Sequence, residues 1–209
     1  MKITWNGHSC FLVETADGSV VFDPYAPGSV PGFHMPQMMA DLAICSHGHG
    51  DHNFAEGVCL TGKANSLQIR AVDSFHDDRQ GSARGKNKIT VLEAEGIRLA
   101  HLGDLGHELS EEQIAQIGKV DVLMVPVGGF YTIDRVQAKR VSESLQTTII
   151  IPMHFRSGKR GYDVLTTREA FLSQYDEKEI RTLPANVVEL TKPLTKQVLV
   201  FTVTGDFAE

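Results

Sequence analysis

Residues 47–52 read His47-Gly48-His49-Gly50-Asp51-His52. Three imidazoles and a carboxylate within so short a span are costly to pack unless something positive sits between them. Imidazole and carboxylate suit zinc, and also manganese, iron or nickel. Glycine takes positive φ without a Cβ clash, so Gly48 and Gly50 are expected to turn His47 and His49 to one centre and Asp51 and His52 to a second. Residues 41–46, from Asp41 to Ser46, are expected as a buried strand, so the cluster would hang from a strand end. The bland alternative is a polar turn with incidental histidines. The spacing points instead to a metal site.

The elements that must hold this cluster fit one domain spanning residues 1–209, long enough to bury a proper core. Apolar residues make up 42% and charged residues 22%, as in an ordinary soluble protein. A formal charge of −6 argues against a nucleic-acid surface, which needs a basic stripe. Cys10, Cys45 and Cys59 are odd in number and widely spaced, so they read as small hydrophobes rather than a disulfide frame. No apolar signal region or membrane-spanning stretch is evident, and the expected setting is a reducing cytoplasm.

Residues 2–6, 10–15 and 19–22 read as short strands, with Asp17-Gly18 as a hairpin turn. Residues 24–36 carry four prolines and two glycines, a surface loop over or near the site. At most a short helical turn follows His52, then a strand at 67–75 ending at His76. Residues 77–87 form a polar, basic loop, and 89–94 with 97–102 a second hairpin about Glu95-Gly96. Ser110 caps a helix whose first turn is acidic. Buried strands at 120–126 and 147–152 flank a helix at 134–145, and a helix from Thr166 or Thr167 to Gln174 precedes strands at 187–190 and 197–204. Strands followed by strand–helix alternation fit sheets covered by helices. His47, His76, Asp104 and His154 all follow directly on apolar strands, and α/β folds build sites where strand ends gather at one rim.

The sequence resembles the metallo-β-lactamase superfamily of metal-dependent hydrolases. Its HxHxDH motif is met in full, and within the superfamily the chain looks most like ascorbate-6-phosphate lactonase and the small metal-dependent hydrolases. The resemblance is carried by Gly7-His8-Ser9-Cys10-Phe11, Val21-Phe22-Asp23-Pro24, His47 to His52, Leu102-Gly103-Asp104, Val125-Pro126-Val127-Gly128-Gly129 and Ile151-Pro152-Met153-His154. It runs to about residue 155, and the last fifty or so residues carry little motif. It implies a mixed α/β, four-layer αββα sandwich with two metal ions at the sheet edge. His47, His49 and His76 would hold one ion, Asp51, His52 and His154 the other, and Asp104 would bridge. The chain departs from many relatives in having only some two dozen residues between His52 and His76, and in an extra imidazole, His107, just after Asp104.

Other candidates have weaker signals. His8 lies between two strands and could contact substrate or a ligand; a hairpin-turn histidine is the alternative. Asp23 could accept the second N–H of a ligating imidazole. His101 lies inside a strand and reads as packed, and His34 is uninformative. Arg79, Arg84 and Lys86 read as a solvated loop, with contact to an anionic substrate as the alternative.

The expected activity is hydrolysis, by a hydroxide bridging two divalent ions, of an ester, lactone, thioester or phosphodiester bond in a small anionic metabolite. Zinc leads among the metals. Asp51, water, His8 or His107 would supply the leaving-group proton. Two alternatives are a di-iron redox enzyme, whose relatives carry glutamate where His49 stands, and a non-catalytic metal-dependent module. The expected partners are a small molecule and, from the resemblance, a second copy of the chain, with no membrane or nucleic acid.

Overall fold

Apolar residues alternate in residues 1–5 and run together at 11–13 and 20–22, and the chain folds there as three antiparallel strands. In the computed structural model, which describes residues 1–203, these are β1 (Lys2–Trp5), β2 (Phe11–Thr15) and β3 (Gly18–Phe22). They bury Ile3, Trp5, Phe11, Val13, Val20 and Phe22. Next come β4 (Met38–Ala40), β5 (Leu42–Ile44), a 3-10 turn at Ala55–Gly57 and β6 (Val58–Leu60). β5 joins β3 in parallel, and β4 pairs with β6 as a small separate sheet.

The larger sheet is built from β7 (Gln68–Phe75), β8 (Lys86–Ala94), β9 (Ile97–His101), β10 (Val122–Pro126), β11 (Ile149–Met153), β12 (Ile180–Thr182) and β14 (Gln197–Val200). Its order is β12-β14-β11-β10-β9-β8-β7. β13 (Val187–Glu189) returns to the first sheet, whose order is β13-β1-β2-β3-β5. Every residue of β10 and β11 is buried. Their continuous apolar runs follow from covering both faces, the first sheet on one side and helices on the other. α2 (Arg135–Ser144) packs on β10, α3 (Arg168–Leu172) on β11, and α1 (Glu111–Ile117) on β7. Phe11, Phe22, Leu92, Leu99 and Leu102 belong to the core shared by both sheets. This is the expected mixed α/β sandwich of two sheets, with α1, α2 and α3 packed on the larger one.

Strand direction gathers the site. β9, β10 and β11 run parallel, so the residues after each leave at one rim. β7 is antiparallel to β8, which is antiparallel to β9, so β7 also ends at that rim. His76, Asp104 and His154 therefore emerge together.

Local departures from the sequence reading have identifiable causes. The first hairpin turns at Ala16-Asp17, one residue early, because Thr15 pairs with Gly18 and the Thr15 hydroxyl accepts from the Asp17 amide. The strand expected at 41–46 is shorter and only half-buried. There the Asp41 carboxylate accepts from the Ser19 amide and hydroxyl and from Thr61, and this splits β4 from β5. α3 stops at Leu172 rather than Gln174, and Thr167 makes no side-chain cap. β6, the 3-10 turn at Glu177–Glu179 and β12 had no clear signal. The last strand ends at Val200; Thr204, its expected end, lies outside the described residues.

The glycines in the histidine motif do not act as expected. Neither Gly48 nor Gly50 has positive φ, and a Cβ on Gly48 would meet nothing within 4 Å. The glycines that let site segments approach lie elsewhere. A Cβ on Gly106 would sit 2.2 Å from the Asp77 amide nitrogen, and one on Gly128 2.2 Å from the His154 carbonyl. Gly106→Ala and Gly128→Ala are each expected to lower unfolding free energy in urea by roughly 1–3 kcal/mol. Gly48→Ala should stay within about 0.5 kcal/mol of the parent. Equal effects at all three would contradict this placement.

Candidate metal centre

The rim brings the motif residues into two groups. The ligand atoms of His47, His49 and His76 lie within 4.8 Å of one another, as do those of His8, Asp51, His52 and His154. Asp104 stands between the groups. Its Oδ2 lies 3.1 Å from His76 Nε2, 3.2 Å from His154 Nε2 and 3.9 Å from His47 Nε2, while its Oδ1 lies 3.2 Å from His52 Nε2. One carboxylate thus reaches imidazoles of both sets.

Several converging atoms have no hydrogen-bond partner. His52 Nε2, His154 Nε2, Asp104 Oδ1 and both ring nitrogens of His8 are buried and unpaired. A buried polar atom left unpaired costs about 1–3 kcal/mol, and clusters of them call for an explanation. The donor set is imidazole and carboxylate, which suits a divalent transition metal. Residues and vacant lone pairs fit such ions.

The electrostatics agree. Burial opposes charge on Asp104, yet His154 and His52 hold its carboxyl well below the usual range. Burial likewise opposes ionisation of Asp51, and His8 and His52 outweigh it, so this carboxyl also stays anionic. Burial and then His52 push His47 down to about 4. Burial and then His154 push His8 down to about 4. Both imidazoles are therefore neutral near pH 7, the form with a free lone pair. His52 is the exception: burial works against its charge, but the Asp104 and Asp23 carboxylates raise its pKa well above the usual value.

A shell of hydrogen bonds fixes these side chains. Asp23 Oδ2 lies 2.7 Å from His52 Nδ1 and accepts from the Ser46 hydroxyl, while Oδ1 accepts from the Ser46 amide at 2.7 Å. Asn87 Oδ1 accepts from the Asp104 amide, and its Nδ2 donates to the Leu102 carbonyl and the Ser74 hydroxyl. His101 is a packed core histidine: Nε2 bonds the Ser9 carbonyl, Nδ1 accepts from the Gly103 amide, and the ring stacks on Phe22 at 5.3 Å. Asp77 accepts four main-chain N–H bonds, from Arg79, Gly81, Ala83 and Arg84. Burial raises its pKa but these amides bring it down to about 2. That wrapped carboxylate orders the turn after His76. Three residues here hold positive φ without being glycine: His8 at 50°, Asp23 at 45° and His154 at 52°. Such backbone persists only where its surroundings over-determine it. Here the His8 carbonyl accepts from Trp5 Nε1 and from the His154 amide.

The structure does not bring His107 to the cluster, which corrects its expected role as proton donor. Its Nε2 accepts from the Phe75 amide and its Nδ1 donates to the Glu108 carbonyl, so both nitrogens are already occupied. Tyr162 is there instead. Its hydroxyl donates to the Ser29 carbonyl at 2.7 Å and lies 3.2 Å from Asp51 Oδ2, and its ring meets His8 at 5.7 Å. Burial, and then Asp51, push its pKa up, so it keeps its proton. Tyr162 sits in the motif-poor last quarter, and Asn87 in what reads as a polar loop; neither carries a local signal. The proline-rich stretch does pack beside the site, anchored by buried Tyr25, Val30 and Phe33.

Residues 2–154 match the β-lactamase superfamily domain. The chain is 27% identical to a metal-dependent hydrolase of Archaeoglobus fulgidus, over 75% of this chain and 84% of that one. It is 29% identical to a metal-dependent hydrolase of Carboxydothermus hydrogenoformans, over 75% and 85% of the two chains. A solved structure from Thermotoga maritima, described as a proposed Zn-dependent hydrolase of the metallo-β-lactamase superfamily, aligns with a TM-score of 0.77 at 35% identity, covering 96% of this chain and 97% of that one. No helix among the described residues is long and apolar enough to cross a membrane.

Replacing Asp23 by alanine removes the partner of His52 Nδ1 and of two Ser46 donors. Losing such an outer partner typically weakens metal binding about 10- to 100-fold. Asp23→Ala should show that loss in a competition titration against a zinc chelator. An unchanged affinity would mean that Asp23 does not orient His52.

Proposed function

This chain belongs to the β-lactamase superfamily, whose domain it matches over residues 2–154, and from that premise we propose that this metal-dependent hydrolase works with two divalent cations, zinc first among the candidates. His47, His49 and His76 would hold one, Asp51, His52 and His154 the other, and Asp104 would contact both. The observation that carries this reading is the reach of Asp104 to imidazoles of both groups. Divalent cations bound there supply Lewis acidity, bringing the pKa of water toward neutrality and drawing charge from a carbonyl or phosphoryl oxygen.

The protein's own groups then govern protons and position. Asp51, anionic and beside the reaction centre, takes the proton of the attacking water at Oδ2. The Tyr162 hydroxyl has one proton, which it can turn from the Ser29 carbonyl to Asp51 Oδ2 and so orient that carboxylate. His8 Nε2, 3.4 Å from Asp51 Oδ2, is placed to exchange a proton with it and to pass one toward the leaving group. The Pro/Gly-rich loop is tied to the motif by the Ala26 amide donating to the Gly50 carbonyl. The bond cleaved is an ester, lactone, thioester or phosphodiester of a small anionic metabolite; the cytoplasm is its setting.

Elemental analysis of protein purified without chelators should give two transition-metal ions per chain, and stripping them should abolish turnover of generic lactone and phosphodiester substrates. Asp51→Ala should lose at least about a hundredfold in kcat while keeping the parent's circular dichroism. Full activity in Asp51→Ala, or turnover unaffected by complete metal removal, would overturn the proposal.

A further inference from the structure

A continuous line of aromatic rings leads from the centre to a guanidinium. The Tyr162 ring, adjacent to Asp51, meets the Tyr131 ring edge-on at 5.9 Å. Tyr131 in turn meets Phe130 at 4.8 Å, and Arg84 Cζ lies 5.6 Å over the Tyr131 ring. Arg84 also donates from Nη2 to the Phe130 carbonyl at 3.2 Å. The three segments come from different parts of the chain: the turn after His76, the loop after β10, and the stretch after His154.

Two features of this line go beyond packing. Phe130 is 64% exposed and holds positive φ, 58°, a conformation costly for a bulky residue. An exposed aromatic kept in strained backbone beside a site points to a ligand contact rather than to folding. Arg84 is half-buried, and among the described residues no carboxylate lies within ion-pair distance of it, although the chain carries a net charge of −6. Its neighbour Arg79, by contrast, is solvent-exposed and pairs with Asp78 at 3.9 Å. A guanidinium anchored by a ring and one carbonyl retains donors in the fork geometry that suits carboxylate or phosphate.

We propose, on the hydrolytic reading of the same site, that Tyr162, Tyr131 and Phe130 form the substrate-binding wall and that Arg84 selects substrates bearing an anionic group separated by an apolar segment from the bond to be cleaved. The rings cover the apolar segment, and Arg84 receives the anion at the outer end. The charge that sets specificity is thus distinct from any charge at the scissile bond.

Two hydroxamates, which chelate divalent cations, test this without turnover: octanohydroxamic acid and the monohydroxamic acid of octanedioic acid. They share the chelating head and six methylenes and differ in a terminal methyl or carboxylate. Calorimetry on zinc-loaded protein should show the carboxylate compound binding at least about tenfold tighter, as expected for a charge-assisted contact. Arg84→Gln should abolish that preference, and Arg84→Lys should keep part of it. Equal affinities in the parent, a preference that survives in Arg84→Gln, or no binding of either compound would overturn the proposal. Because nothing is hydrolysed, a preference that depends on Arg84 in a protein without turnover would sink the hydrolytic reading alone.

Discussion

A single carboxylate, Asp104, is buried among the imidazoles of His52, His76 and His154. A charge in that position is expensive unless positive charge comes to meet it. The surroundings keep Asp104 ionised, so the cost cannot be escaped by protonating it. His52 supplies part of the balance; divalent ions would supply the rest. Around that point burial and His52 keep His47 neutral, and His8 and His52 keep Asp51 anionic.

The fold exists at this rim to deliver such a point. Three parallel strands buried on both faces set the depth at which Asp104 and His154 leave the sheet, and β7 brings His76 to the same edge through two antiparallel steps. The first sheet contributes His8 and Asp23 from its strand ends. His101 ties the two sheets together by bonding the Ser9 carbonyl across the core. Core packing and site geometry are therefore coupled, because Asp104 and His154 follow strands that are largely or wholly buried. Close approaches allowed by Gly106 and Gly128 complete the fit.

What could be read from the sequence was what local spacing encodes. The six residues from His47 to His52 reveal themselves because their types and proximity have few other uses, and His76, Asp104 and His154 because each ends an apolar run. Capping chemistry marked α1: the Ser110 side chain accepts from the Gln113 amide as its position suggests. The misread features depend on contacts distant in sequence. Tyr162 reaches Asp51 across 111 positions. His107 follows a promising Asp104 but is held by the Phe75 amide. Gly48 and Gly50 sit where glycine freedom looked necessary, yet the backbone there is ordinary, and positive φ falls instead on His8, Asp23 and His154. The edge strand β5 shortened because Asp41 found partners in Ser19 on β3 and in Thr61 just past β6.

The most direct test of this account is a crystal structure of zinc-loaded protein with anomalous data at the zinc edge. Two peaks should appear about 3.5–4 Å apart, both bonded to Asp104, one facing His47, His49 and His76 and the other Asp51, His52 and His154. A single peak, or peaks that leave Asp104 without a bonded ion, would contradict the claim that this carboxylate joins two metal sites.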